Sequence, residues 1–109
     1  MKPLAFAVLF SVLSLACARA EEPGFAEGTK LTHKYNCQSC HLLDKPSAGP
    51  SFRAIAKRYA SDPNAQGELE TTIRNGSIGA WGSTPMAGVK VPERDLKRLV
   101  EFILSLKEY

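Results

Sequence analysis

Two cysteines and a histidine lie within five positions of this chain, at Cys37, Cys40 and His41, although all 109 residues contain only three cysteines and two histidines. Cys37 and Cys40 are three positions apart and His41 follows Cys37 by four, so one helical turn would place all three side chains on the same side. Two sulfurs beside an imidazole favour thiol redox chemistry, metal binding or the attachment of a prosthetic group.

These three interpretations make different demands on the rest of the chain. A thiol redox pair shares the C-x-x-C spacing but is typical of a strand followed by a helix, and the sequence indicates no strands. A structural zinc site needs four tetrahedral ligands, and only His33 or a carboxylate could supply the fourth. Covalent attachment of haem c uses every residue of the motif, because Cys37 and Cys40 form thioethers with the porphyrin vinyl groups and His41 reaches the iron. The sequence therefore favours one covalently bound haem c.

The first twenty residues have the pattern of a secretory signal peptide. One lysine precedes an apolar run from Leu4 to Ala16, and small residues surround a cleavage point after Ala20. The run is shorter than the roughly 20 residues of a membrane-spanning helix. Cys17 would fit a lipoprotein signal, an alternative that Ser14 disfavours. We predict a cleaved leader over residues 1–20 and one domain over residues 21–109, located in the periplasm.

The exported part of the chain is small and almost neutral. Residues 21–109 carry 12 Lys and Arg against 11 Asp and Glu, a balance that makes nucleic acid an improbable partner. A domain of this size is marginally stable unless disulfides, a metal or a bound cofactor add to its hydrophobic core. Only Cys37 and Cys40 remain after cleavage, so at most one disulfide could stabilise the fold. A covalently attached apolar cofactor would stabilise the fold in place of further disulfides.

Hydrophobic spacing predicts an all-α fold of four short helices. The predicted helices cover residues 24–36, residues 52–59 after a Ser51 cap, residues 65–74 before Gly76, and a last helix entered through Pro92. The last helix has the clearest apolar stripe, formed by Leu96, Leu99, Val100, Ile103 and Leu106, with Phe102 beside it. Residues 42–50 are predicted to form a loop.

Residues 75–91 have no helical or strand period and contain four glycines. Loops of this length are uncommon in compact domains unless they are functional or disordered. This one carries Ile78, Trp81 and Met86, and disordered segments generally lack such residues. We therefore expect an ordered loop that packs against another group.

The mature chain resembles the short bacterial class I cytochromes c along essentially its whole length. The residues that carry this resemblance are Cys37-Gln-Ser-Cys-His41, Gly49-Pro50, Arg74-Asn75-Gly76, Trp81-Gly82, Pro85-Met86 and the terminal aliphatic helix with Phe102. The resemblance implies four helices wrapped around one haem c. It also implies a periplasmic electron carrier of the kind that donates to reductases such as nitrite reductase.

The resemblance also implies roles for individual residues. Met86, the only methionine after cleavage, would be the second axial ligand of the iron beside His41. The Pro50 carbonyl would accept the other ring N–H of His41. Trp81 would donate to a haem propionate, or alternatively pack in the core. Further residues expected to line the pocket are Phe52, Ile55, Leu69, Ile73 and Ile78, whereas His33 is expected to be an exposed surface residue.

The chain departs from its apparent relatives beside Met86. Ala87, Gly88 and Val89 stand where many relatives have Pro-Pro-Asn, so a hydrogen bond from the asparagine to the methionine sulfur would be missing. We expect a more mobile methionine loop as a result.

Two axial protein ligands leave the iron no position for a substrate, so the expected function is electron transfer and not enzyme catalysis. We expect a monomer, without a membrane span in the mature chain, that docks transiently on redox proteins such as a reductase, oxidase or dehydrogenase. Two alternatives remain open. The chain could be the dedicated cytochrome subunit of one dehydrogenase, or a haem peroxidase or gas sensor in which Met86 leaves the iron.

Overall fold

The computed structural model describes residues 23–108 together with Pro3. The predicted signal peptide, apart from that one residue, lies outside the described residues. The elements are α1 (Pro23–Lys34), a 3-10 turn (Cys37–Ser39), α2 (Phe52–Arg58), α3 (Ala65–Asn75), β1 (Ser77–Gly79), β2 (Gly82–Met86), α4 (Glu93–Ser105) and a final 3-10 turn (Leu106–Glu108). The predicted fold of four short helices is confirmed. Within residues 23–108, no helix combines the length and the apolar character needed to cross a bilayer.

Helix α4 is the centre of the protein core and contacts each of the other three helices. Its predicted apolar stripe is buried, and Leu96, Leu99, Val100 and Leu106 are fully enclosed. Phe102 is also buried, so the apolar face of α4 is wider than the predicted stripe. Burying one side chain of this size stabilises the fold by roughly 1.5–3 kcal/mol, and α4 contributes more buried side chains than any other element of residues 23–108.

A glycine lets α1 approach α4 closely. A Cβ atom added to Gly28 would lie under 3.0 Å from the ring of Phe102, a distance that real side chains do not show. Phe25 completes the contact, with its ring edge-on to Phe102 at a centroid distance of 5.6 Å. The two terminal helices of the described chain therefore pack directly on each other.

The helix boundaries follow the predicted caps. Ser51 Oγ accepts a hydrogen bond from the Ala54 amide at 3.0 Å and so starts α2 as expected. Gly76 ends α3 with a φ of 80°, a backbone conformation that favours glycine. Helix α1 stops two residues earlier than predicted, because Asn36 adopts the left-handed region with a φ of 58°.

The prediction that residues 75–91 contain no strand is wrong. β1 and β2 form an antiparallel hairpin in which Ser77 pairs with Met86 and Gly79 with Gly82. Positive φ angles at Gly79 and Gly82 allow the tight connection between the strands. Most residues of both strands are exposed, so neither face of the hairpin requires the polar and apolar alternation by which a strand is usually predicted.

A charged cluster joins the end of α1 to the beginning of α4. The Tyr35 hydroxyl donates to the Asp95 carboxylate, and Lys34 Nζ lies 3.2 Å from the same carboxylate. These hydrogen bonds lower the pKa of Asp95 and raise the pKa of both Tyr35 and Lys34. The cluster is therefore most stable when Asp95 is charged and Tyr35 is protonated.

Candidate functional site

Cys37 begins the hydrogen-bonded 3-10 turn that follows α1, and Cys40 is the residue directly after this turn. The amides of Cys40 and His41 both donate to the Cys37 carbonyl, at 3.2 and 3.0 Å. Cys37 is partly buried and Cys40 is exposed, and neither forms a disulfide. Burial raises the pKa of the Cys37 thiol, whereas the thiols of redox pairs have lowered pKa values. The local environment therefore does not favour a reactive thiol pair.

Gln38, which lies between the cysteines, connects this turn to α1 by a side-chain hydrogen bond. Its Nε2 donates to Thr32 Oγ1 at 2.8 Å, and Thr32 in turn donates to the Thr29 carbonyl at 2.7 Å. Thr32 is only 2% exposed, so the bond satisfies a hydroxyl in the protein interior. Neither residue could be identified from the sequence, since a single threonine in a helix gives no sign that its neighbours bury it.

Three neighbours hold the imidazole of His41. Its Nδ1 lies 2.7 Å from the Pro50 carbonyl oxygen, and because a carbonyl only accepts, Nδ1 carries the proton. This tautomer leaves the lone pair on Nε2, the atom that can bind a metal ion. The Phe52 ring stacks on the imidazole at 5.5 Å with an interplanar angle of 28°. Gly49 leaves room for the ring, since a Cβ there would lie 2.5 Å from Cε1.

Met86 ends the second strand of the hairpin and is partly buried against the core. Two glycines allow its segment to approach α3. A Cβ on Gly76 would lie under 3.0 Å from the Met86 carbonyl oxygen, and a Cβ on Gly88 would come equally close to the Arg74 carbonyl oxygen. A hydrogen bond of 2.7 Å from the Val89 amide to the Ile73 carbonyl completes the attachment. We call these contacts of Gly76, Gly88 and Val89 the glycine clasp.

Trp81 lies at the turn between β1 and β2 and is 44% exposed, so the polypeptide core does not enclose it. The guanidinium of Arg58 covers its ring at 4.3 Å from the centroid. Arg58 Nη1 also donates to the Ala80 carbonyl at 2.7 Å. Arg58 could not be identified from the sequence, because nothing in the sequence pairs a helix end with a turn 22 residues further on.

The other predicted pocket residues divide into two groups. Phe52, Ile55, Leu69 and Ile73 are buried in the protein core, whereas Ile78 is 83% exposed on the hairpin. His33 is exposed on α1, as expected.

The donor set fits a covalently attached haem better than a bare metal ion. Two cysteine sulfurs lie one residue and four residues before a histidine whose tautomer suits metal binding, and the hairpin presents a thioether and an exposed indole. The structure does not support a zinc site within residues 23–108, since no three His, Cys, Asp or Glu side chains of this range are grouped to hold a metal ion.

Comparisons with known proteins agree with this geometry. A family model described as Cytochrome c matches residues 25–107. Cytochrome c-551 of Stutzerimonas stutzeri is 37% identical over 101 residues, which cover 92% of this chain and 97% of that protein. Cytochrome c-552 of Nitrosomonas europaea is 38% identical over 86 residues, covering 77% of this chain and 84% of that protein. The crystal structure of wild-type Nitrosomonas europaea cytochrome c552 superposes with a TM-score of 0.70 at 39% identity, over 72% of this chain and 99% of that one.

Proposed function

Because this chain belongs to the cytochrome c family and carries one covalently attached haem c, we propose that it is a periplasmic electron carrier whose iron is held by His41 and Met86. Its relatives named cytochrome c-551 and c-552 make it a small electron-carrier cytochrome. We also propose that residues 1–20 are removed, that the protein is located in the periplasm, and that it docks transiently on its partners as a monomer.

The contact of His41 Nδ1 with the Pro50 carbonyl oxygen is the observation that carries the proposal. A hydrogen bond from Nδ1 to the Pro50 carbonyl orients the ring and increases the basicity of Nε2. Phe52 stacks on the ring and Gly49 leaves room for it, so the imidazole would need little rearrangement when an electron is gained or lost. Cys37 and Cys40, on the preceding turn, would supply the thioether sulfurs. The bound haem supplies a one-electron change between ferrous and ferric iron.

Met86 is the best candidate for the opposite ligand. It is the only methionine of residues 21–109, and the glycine clasp holds its segment against the end of α3. A thioether favours the ferrous state and raises the reduction potential relative to a second histidine. His41 and Met86 would together hold the iron and keep water and peroxide from it, so that electron transfer would be the reaction that remains.

Several lysines could guide an acidic redox partner toward this site. Lys30, Lys34, Lys45 and Lys90 are all exposed, but Lys34 pairs with Asp95. We propose that Lys30, Lys45 and Lys90 supply most of the attraction. Such contacts are small and transient, and the attraction is screened over about 10 Å at 0.1 M salt. The rate of reduction by a natural partner should therefore fall as ionic strength rises, and a rate that stays constant would contradict this part of the proposal.

The visible spectrum of the purified haem protein tests the ligand assignment. We expect the ferric form to show the weak red absorption band of a methionine–iron bond and to bind cyanide slowly. Met86→Leu should abolish the band and speed cyanide binding, because leucine has similar bulk and no sulfur. His41→Ala should prevent a normal haem spectrum, whereas the matched control His33→Ala should leave it unchanged.

Other outcomes would redirect the proposal. Fast cyanide binding by the unmodified protein would refute His/Met ligation and favour a peroxidase or gas sensor. Stable co-purification with a dehydrogenase would refute the freely diffusing carrier and favour a dedicated subunit.

A further inference from the structure

Helix α2 touches both segments that carry the proposed axial ligands. Its first residue, Phe52, stacks on His41, and its last residue, Arg58, contacts the turn of the hairpin that ends in Met86. At a rise of 1.5 Å per residue the two ends are about 9 Å apart along the helix axis. One short rigid element therefore links the histidine segment to the methionine hairpin.

The hairpin is attached to the rest of the protein at its two ends. The glycine clasp holds its base against α3, while the strands between base and turn are largely exposed. At the turn, Arg58 donates to the Ala80 carbonyl and covers the Trp81 ring. Within residues 23–108, Arg58 thus attaches the turn of the hairpin to the end of α2 through one hydrogen bond and one ring contact.

Arg58 forms no ion pair with another residue of the described range. None of the ion pairs found within residues 23–108 involves this side chain, although other arginines of the same region pair with carboxylates. A planar guanidinium can stack on an indole and donate to a carbonyl at the same time, whereas a lysine ammonium cannot reproduce both geometries. The side chain is thus suited to fixing the hairpin turn.

We propose that Arg58 is a positioning residue for Met86: it fixes the turn of the hairpin against α2, so that the methionine sulfur is presented opposite His41. This inference rests on the proposed function, since it requires Met86 to be the second ligand. Loss of Arg58 leaves the base of the hairpin in place but frees its turn, and the methionine then dissociates from the iron more often.

The test compares three variants of the haem-loaded protein. Arg58→Gln removes the stacking cation, and Arg58→Lys keeps the charge but not the fork geometry. Lys57→Gln is the matched control, because it removes one positive charge from the neighbouring exposed residue of the same helix. Thermal melting followed by haem absorbance establishes that each variant is folded before the measurements are compared.

Three measurements report on the hairpin. We expect Arg58→Gln to weaken the red methionine–iron band and to speed cyanide binding by roughly five- to sixtyfold, the range expected from the loss of one hydrogen bond and one exposed cation–π contact. Arg58→Lys should fall between the wild type and Arg58→Gln, and Lys57→Gln should stay within about twofold of the wild type on the same scale. Fluorescence of Trp81, the single tryptophan of the chain, should increase in Arg58→Gln as the ring moves away from the quenching haem.

Two results would overturn the inference in distinguishable ways. If Arg58→Gln and Lys57→Gln behave alike while the wild type shows the red band, His/Met ligation stands and the positioning role of Arg58 is wrong. If the wild type itself lacks the band, the ligand assignment fails and the role of Arg58 fails with it.

Discussion

Gly88→Ala tests the glycine clasp that holds the Met86 segment. A Cβ at this position would lie under 3.0 Å from the Arg74 carbonyl oxygen and 3.1 Å from the carbonyl carbons of Arg74 and Asn75. These are backbone atoms of the last turn of α3, so they cannot rotate away as a flexible side chain could. Either α3 or the segment after Met86 must move.

The magnitude follows from the cost of overpacking a close contact, typically 1–3 kcal/mol. Taking about 2 kcal/mol, and a shift of about 4–8 °C in Tm per kcal/mol for a domain of this size, we expect Gly88→Ala to lower the Tm by roughly 8–16 °C. The same displacement should weaken the red methionine–iron band. Thermal melting followed by haem absorbance measures the first effect, and the ferric spectrum at room temperature measures the second.

Gly67→Ala is the control, because Gly67 is exposed in α3 and a Cβ there meets no atom within 4 Å. Replacing a helical glycine by alanine stabilises a helix by up to about 1 kcal/mol, so this variant should melt at or above the wild-type temperature. A Gly88→Ala protein that melts within about 2 °C of the wild type would refute the argument, since that corresponds to less than about 0.5 kcal/mol.

Three further changes have expected outcomes. Gly49→Ala should distort the haem spectrum, because its Cβ would displace the His41 ring from the Pro50 carbonyl; a spectrum and Tm equal to those of the wild type would contradict the close fit. Asp95→Asn should lower the Tm at pH 7. Hydrogen bonds from Tyr35 and Lys34 lower the pKa of Asp95 in the folded state below its ordinary value of 3.8, so this stabilisation is full above pH 3.8 and is lost as the pH falls through the folded pKa. A Tm difference between variant and wild type that does not shrink as the pH is lowered below 3.8 would exclude this explanation. The double variant Cys37→Ala, Cys40→Ala should lose the tie to the haem and with it a sharp cooperative melting transition, and a sharp transition in that variant would argue against the cofactor as the staple of the fold.

The expected mobility of the loop after Met86 stays a prediction. The glycine clasp holds the backbone at Gly76, Gly88 and Val89, so any additional freedom would belong to the Met86 side chain. NMR of the ferrous protein would show more than one orientation of the methionine methyl group. A single rigid orientation would contradict the prediction.

The helices were predictable because their determinants are local. Helix α3 was expected over residues 65–74 and runs from Ala65 to Asn75, and the Ser51 cap of α2 is formed as predicted. The attachment motif was equally local, since Cys37, Cys40 and His41 lie within five residues. Periodicity and short motifs therefore identified the helical frame and one half of the site.

The contacts that orient the site could not be read in the same way. The Pro50 acceptor was expected only through the resemblance to a family, because nine residues separate it from His41. The hairpin has exposed strands and so lacks the alternation that predicts a sheet. Arg58 and Trp81 meet across 23 positions, and long-range pairs of this kind depend on the packed fold and not on neighbouring residues.

The contact between Phe25 and Phe102 joins residues that are 77 positions apart. The other described helices and strands, apart from the final 3-10 turn, lie in the segment of chain between these two residues. Closing a flexible ring of that length costs on the order of 4 kcal/mol of chain entropy, and a ring already closed by a covalent bond would not incur it. A circular permutant could be made by joining α1 to α4 with a short peptide and opening new ends in the exposed segment near Lys45. In this permutant, the contact between Phe25 and Phe102 would no longer have to close a long segment of chain.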